Sequence, residues 1–270
     1  MNITRAVLDA LKPQLSDRDH AIMHDVGRFK LATAGQLERL HFAHCSDRSR
    51  ARNRQAVLKR LTDNRILARV GNRARGGPSG GSRGYLYALD VAGQELTQLT
   101  SHRPRRPYVS YEPGIAHYLA VTELYVRLVE ADRAGTLTLL NFEAEPYAWR
   151  YFNDQQVLKP DAYVQVGVAH DGRRRKGSFF IEMDRGTQWG AKIATKVPQY
   201  LAYFNSSRPN EPIFPKVLLL APSERRAGYL SRLIKERGPD IPLFEAGVVD
   251  DAINLLALSG ADTEAKRPGD

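Results

Sequence analysis

The residues best suited to chemistry are acids on expected strands. Asp161 follows Pro160 as the stretch VLKPDAYVQVGVA begins, and Glu182 and Asp184 lie two apart in GSFFIEMD. A spacing of two points both side chains to one face of a strand, and pairing of the two strands would bring Asp161 beside Glu182. Carboxylates gathered at one end of a sheet repel one another unless a hard cation joins them. Mg²⁺ or Mn²⁺ suits such an oxygen set, and a metal held there can activate water and offset charge in phosphodiester cleavage. An ammonium is useful in such a site. Lys196 and Lys192, on the next expected helix, are the candidate donors. Bland readings exist for the same residues. Glu182 and Asp184 suit a solvated strand face, Asp161 a simple turn, and Lys196 with Tyr200 any amphipathic helix. Phe179, Phe180 and Ile181 make the strand apolar, which raises the cost of idle carboxylates beside them. His41, His44 and Cys45 cluster without a fourth ligand, so no zinc site is assigned.

The second set is basic. Residues 1–110 hold 20 Lys+Arg against 9 Asp+Glu, whereas the remainder is near balance at 20 against 21. The positive excess of this 270-residue chain therefore lies in its first part, which points to a polyanion as partner. Within it, DRSRARNRQAVLKRLTDN has Arg48, Arg50, Arg52 and Arg54 early and Leu58 and Leu61 late. That gradient fits a recognition helix, whose early residues face base edges and whose end packs in a core. Arginines at spacing two do not share one face, so some must fan out to phosphates. Arg73, Arg75 and Arg83 lie among glycines in GNRARGGPSGGSRG, between the expected strands RILARV and GYLYAL. Two strands around a basic Gly-rich tip make a hairpin wing. No Gly-Lys-Ser/Thr follows, so this is not a nucleotide-binding loop. A solvated, merely soluble surface is the alternative for both basic groups.

These groups need elements to carry them. Ser16 should cap a helix over DRDHAIMHDVGRFK, and Thr33 a second over AGQLERLHF. With the Arg-rich helix, the hairpin and VAGQELTQL, this makes a winged helix-turn-helix over 14–99. A proline-rich join follows at 100–113. The helix IAHYLAVTELYVRLVEADRAG opens a second domain over 114–257, with order α-β-β-β-α-β-α-β, and Pro198 should kink or stop its next helix. The polar residues 258–270 are expected to fray. The fold class is thus α/β (α+β). One cysteine excludes an internal disulfide, and the absence of any apolar run of about 20 residues excludes a membrane span. The cytoplasm is the expected location.

Pro160 and Asp161, followed by Glu182, Met183 and Asp184, resemble the core of the PD-(D/E)xK nucleases, whose restriction-endonuclease-like α-β-β-β-α-β order is similar to residues 114–221. Gly114 and His117 resemble a Gly-x-x-x-His metal motif, one residue shorter, so the resemblance implies a metal set of Asp161, Glu182 and His117. His117, beside Leu124 and Leu128, also suits a hydrogen-bonded core histidine. Lys196 and Tyr200 resemble a Gln-x-x-x-Tyr motif with lysine for glutamine. Asp184 departs from the pattern, standing where the family has its lysine. The catalytic set that follows is Asp161, Glu182, Asp184 and Lys196. Over a longer span, LSDRDHAIMHDVGRFKLATAGQLERLHF, AHYLAVTELYVRLVE, FEAEPYAW, LKPDAYV and FFIEMDRGT resemble the replication-relaxation family of plasmid and mobile-element proteins. That resemblance implies a role in plasmid replication or DNA relaxation. The expectation is a double-stranded DNA binder with a Mg- or Mn-dependent nuclease-like domain, acting with other mobile-element proteins or as a homodimer. The alternatives are a non-enzymatic regulator whose second domain mediates dimerisation or docking, and an RNA-binding protein.

Overall fold

A computed structural model describes residues 3–70, 85–99, 107, 112–153, 156–170, 173–184, 189–207, 214–237 and 243–261. The Gly-rich tip with Arg73, Arg75 and Arg83, and most of the 100–113 join, lie outside them. The chain forms two compact units, 1–126 and 127–270, in a mixed α/β fold.

The first unit opens with α1 (Arg5–Leu11) and α2 (Asp17–Phe29). Ser16 and Asp19 satisfy each other's backbone N–H groups in a capping box at the start of α2. Asp19 is fully buried and accepts twice from Arg60 Nη2 at 2.7 Å. Burial opposes its charge, yet Arg60 and Ser16 hold the carboxyl below its ordinary range. Thr33 and Gln36 form a second capping box where β1 (Ala32–Thr33) passes into α3 (Ala34–His41). α4 (Asp47–Asp63) follows, burying only Leu58 and Leu61, both late, as its composition suggests. β2 (Leu67–Val70), β3 (Leu86–Leu89) and β1 form an antiparallel sheet of order β1-β3-β2, and α5 (Val91–Thr97) closes the set. Ile22, Val26, Leu37, Phe42, Leu58 and Leu61 share its core. Gly93 of α5 lies so near the Ile66 carbonyl that a Cβ would meet that oxygen at 2.3 Å.

α6 (Glu112–Arg133) begins in this unit. Leu119, with Ile115 and Tyr118 at its edge, packs on Leu31, Ala68, Val70, Leu86 and Ala88, so the helix covers the second face of the small sheet. Gln36 Nε2 donates to Leu119 O at 3.1 Å, Thr122 Oγ1 to Leu31 O at 2.9 Å, and Arg39 pairs with Glu123 at 2.5 Å.

The second unit is built on a five-stranded sheet. Its strands are β4 (Thr138–Ala144), β7 (Ala162–His170), β8 (Arg173–Met183), β9 (Lys216–Ala221) and β10 (Phe244–Val248), in the order β10-β9-β8-β7-β4. β4, β7 and β8 are antiparallel neighbours, whereas β8, β9 and β10 run parallel. Parallel neighbours need crossovers, supplied by α7 (Trp189–Ser207) and α8 (Glu224–Arg237). Phe180, Val217 and Leu219 meet Val197, Tyr200 and Leu230 on the helix-covered face. α9 (Ala252–Ala261) packs on β7 and β8, where Gly177 and Gly260 touch: a Cβ on Gly177 would lie 2.7 Å from Gly260 Cα.

Three local expectations change. VLKPDAYVQVGVA is not one strand. Pro160 offers no N–H, and the run divides into β6 (Gln156–Leu158), paired with β5 (Arg150–Phe152), and β7. The basic turn HDGRRRKG is partly strand, since Arg173–Lys176 extend β8. Fraying does not begin at 258, because α9 carries the chain to Ala261 and Ser259 Oγ donates to Glu245 at 2.5 Å. Among the described residues no helix is long and apolar enough to cross a membrane.

Candidate functional site

β7 and β8 assemble the acidic site. Their register pairs Ala162 with Ile181, which sets Asp161 at the end of β8. Its N–H donates to Ile181 O at 3.1 Å, and its Oδ2 accepts from Met183 N–H at 2.8 Å. Glu182 lies between Ile181 and Met183, so alternation sends it with Phe180 to the face that α7 covers. Lys196 and Tyr200 are one turn apart on α7, and both reach it. Lys196 Nζ donates to Glu182 Oε1 at 2.6 Å and Oε2 at 2.5 Å, and Tyr200 Oη donates to Oε1 at 2.8 Å. Lys196 Nζ also donates to Lys159 O at 3.1 Å.

The electrostatics are those of two carboxylates sharing one ammonium. Glu182 is only 1% exposed. Burial, and then the charge of Asp161, raise its carboxyl to about 7, although Lys196 and Tyr200 oppose the rise. Lys196 loses by burial but gains more from Glu182 and Asp161, with Glu145 adding, so its ammonium is held above its ordinary range. The two shifts pull against a simple ion pair. The lysine is stabilised as a cation, while burial first and Asp161 second raise the proton affinity of the glutamate. Burial and Glu182 likewise push the Tyr200 hydroxyl well up.

Asp161, Glu182, Lys196 and Tyr200 are therefore brought together. Asp184 has another partner, since Arg226 on α8 binds it through Nε at 2.5 Å and Nη2 at 3.4 Å. The buried Asp184 is thus neutralised by a guanidinium. His117 belongs to the first unit, where its ring makes an edge contact with Tyr118. Among the described residues no three His, Cys, Asp or Glu side chains are grouped to hold a metal, and Asp161 and Glu182 belong to the second unit. The side chain of Lys192 lies outside the described residues. Sequence reasoning missed Glu145 and Arg226. Glu145 could have been found from the antiparallel pairing of Ala144 with Ala162, which brings it beside Asp161; its N–H donates to Asp161 O at 3.3 Å.

On α4, Arg48 and Arg52 are exposed and four residues apart, hence on one face. Arg50 is half-buried, donating to Cys45 O at 3.1 Å and pairing with Asp47 at 2.9 Å. Arg54 pairs with Glu38 at 2.6 Å. Sequence spacing alone did not separate these two kinds of arginine.

No curated protein and no solved structure matches this chain. A family model described as replication-relaxation matches residues 23–217, most of its length. These residues span α4 and the assembled Asp161, Glu182, Lys196 and Tyr200, and the chain belongs to the replication-relaxation family.

Proposed function

We propose that this is a cytoplasmic DNA-binding protein of plasmid or mobile-element replication or relaxation, whose second unit is a metal-dependent nuclease of the PD-(D/E)xK kind. The observation that carries the reading is Lys196 Nζ at 2.5 Å from Glu182 Oε2, with Asp161 near enough to raise the same carboxyl. The lysine missing at 184 is supplied from α7 instead. The antiparallel β4-β7-β8 set, the α7 crossover and the parallel β9 support the same fold assignment. In the first unit, α2, α3 and α4 followed by β2, β3 and α5 support a winged helix. Arg48 and Arg52 on α4 would face duplex DNA, and Arg73, Arg75 and Arg83 would reach phosphates from the wing.

The donor set fits a divalent cation. The strand register sets Asp161 beside Glu182, and after burial the charge of Asp161 raises the Glu182 carboxyl, a repulsion that a cation would relieve. Asp161 and Glu182 would hold Mg²⁺ or Mn²⁺, with water and substrate phosphate completing the shell, as Mg²⁺ commonly accepts. Such an ion supplies a hydroxide and a Lewis acid for phosphodiester hydrolysis. This chain's own part is to fix the two carboxylates against β8 and to hold a cationic Nζ where negative charge develops on a phosphate. Asp184, paired with Arg226, would position α8 rather than take part in chemistry.

Adding Mg²⁺ or Mn²⁺ to the full chain should raise its melting temperature, as any ligand selective for the folded state does. The rise should vanish in Asp161→Ala. Equal rises in both proteins, or none in either, would count against the site. A regulator reading draws on one observation: Lys196 already contacts both Glu182 oxygens, as a purely structural ion pair would. In that case the second unit serves dimerisation or docking.

A further inference from the structure

We propose that the excursion between β4 and β7, residues 145–153 and 156–159, is a base-stacking platform that delivers unpaired DNA to the acidic site; this rests on the nuclease reading. The excursion starts and ends at that site. Glu145 N–H donates to Asp161 O, and the carbonyl of Lys159 receives Lys196 Nζ. Between these ends the chain turns through Tyr147 and pairs β5 with β6.

Two large aromatic side chains on it face solvent, Tyr151 at 76% and Tyr147 at 50% exposure. The outward course of Tyr151 follows from its neighbours. Arg150 stacks over Tyr163 and pairs with Glu143 at 2.8 Å, while Phe152 packs edge-on against Tyr203. Alternation then directs Tyr151 away from α7. Its two neighbours anchor the strand, so the exposed ring is carried by a fixed support. The same excursion carries a cation, since the exposed Lys159 places its ammonium 4.6 Å over Trp149.

Exposed aromatic faces beside cations are what a single strand recognises. Every unpaired base offers a π-face for stacking, and its phosphates meet the lysine. A duplex keeps its base faces stacked internally and cannot use the rings. The occupant is therefore unpaired DNA, at a melted or distorted stretch next to the bond to be cut.

The test is binding without cleavage. Anisotropy of a labelled oligo(dT) 20-mer and of a 20-base-pair duplex is measured on the full chain in EDTA. In Tyr147→Ala/Tyr151→Ala, oligo(dT) affinity should fall by about tenfold or more, with duplex affinity unchanged. Tyr147→Phe/Tyr151→Phe should bind as the wild type does, since stacking needs the ring and not the hydroxyl. Equal loss on both DNAs, no loss on oligo(dT), or the same loss with phenylalanine would overturn the platform. Tighter binding of oligo(U), lost in the alanine variant, would overturn the assignment to DNA. No metal or hydrolysis enters these titrations, so their failure is distinct from a failure of cleavage, which Asp161→Ala reports separately.

Discussion

Glu182 is the residue on which the second unit turns. A buried carboxylate is expensive to keep charged, and three hydrogen bonds from Lys196 and Tyr200 offset only part of that cost. Its proton affinity therefore rises to about 7, and this has a sign. A group that binds its proton more tightly when folded loses stability as pH rises from its unfolded to its folded value. Without divalent ions, the wild type should lose about 1–3 kcal/mol between pH 4.5 and 7 from this group. Chemical denaturation across that range should show the slope, and Glu182→Gln should lack it. The Lys196 shift, also upward, holds stability that is lost only above its ordinary range and leaves this window untouched. Lys196→Met strands the pair of carboxylates and should destabilise the fold by about 3–5 kcal/mol at pH 8. The loss should be smaller at pH 6, where Glu182 can take a proton. An equal loss at both pH values would mean that the lysine serves packing alone. At this scale the sequence was informative in part: strand alternation singles out Glu182, but with it Asp184, which pairs with Arg226 instead, and Lys196 and Tyr200 were reached only through their resemblance to a Gln-x-x-x-Tyr motif. Glu145 and Arg226 were hidden because only strand register and the course of α8 bring them to the acids.

Helices and strands carry different parts of the account. On α4, Arg48 and Arg52 are exposed, whereas Arg50 and Arg54 hold the helix to its surroundings. Arg48→Ala and Arg52→Ala should each weaken duplex binding and lower the salt slope by about one, at unchanged melting temperature. Arg54→Ala should instead lower stability by exposing Glu38 to an unmet charge. The capped starts of α2 and α3 were readable, since Ser16 and Thr33 each stand three residues before a side chain that completes the box. The short hairpin of β5 and β6 was not, because three-residue strands carry too little alternation to register. α9 was also missed: AINLLALSGA is apolar on most sides and resembles a tail only from its polar continuation. Its packing depends on Gly177, where Gly177→Ala must push β8 from Gly260 and should cost about 1–3 kcal/mol in chemical denaturation. Nor does sequence say that α6 begins by covering the small sheet, since an amphipathic helix does not name the surface it will cover.

For the whole molecule, charge and family point the same way. The positive excess lies before residue 111, in the unit that bears α4, while the acids of the proposed nuclease lie in a nearly balanced remainder. Such a division suits a chain that is held on DNA by one unit and acts on it with the other, and membership in the replication-relaxation family is consistent with that use. The sequence placed the join in the proline-rich stretch 100–113, whereas the two units divide between residues 126 and 127, within α6. Whether the acids act was not readable, because Asp184 occupies the expected lysine position and the replacement comes from a helix 12 residues further on. Incubating supercoiled plasmid with the full chain in Mg²⁺ or Mn²⁺, and following conversion to open-circular or linear DNA, tests whether the second unit cuts DNA. Conversion should occur with the wild type and stop in EDTA and in Asp161→Ala. Supercoiled DNA that survives the wild type unchanged with either metal, or is cut equally by Asp161→Ala, would contradict the nuclease reading.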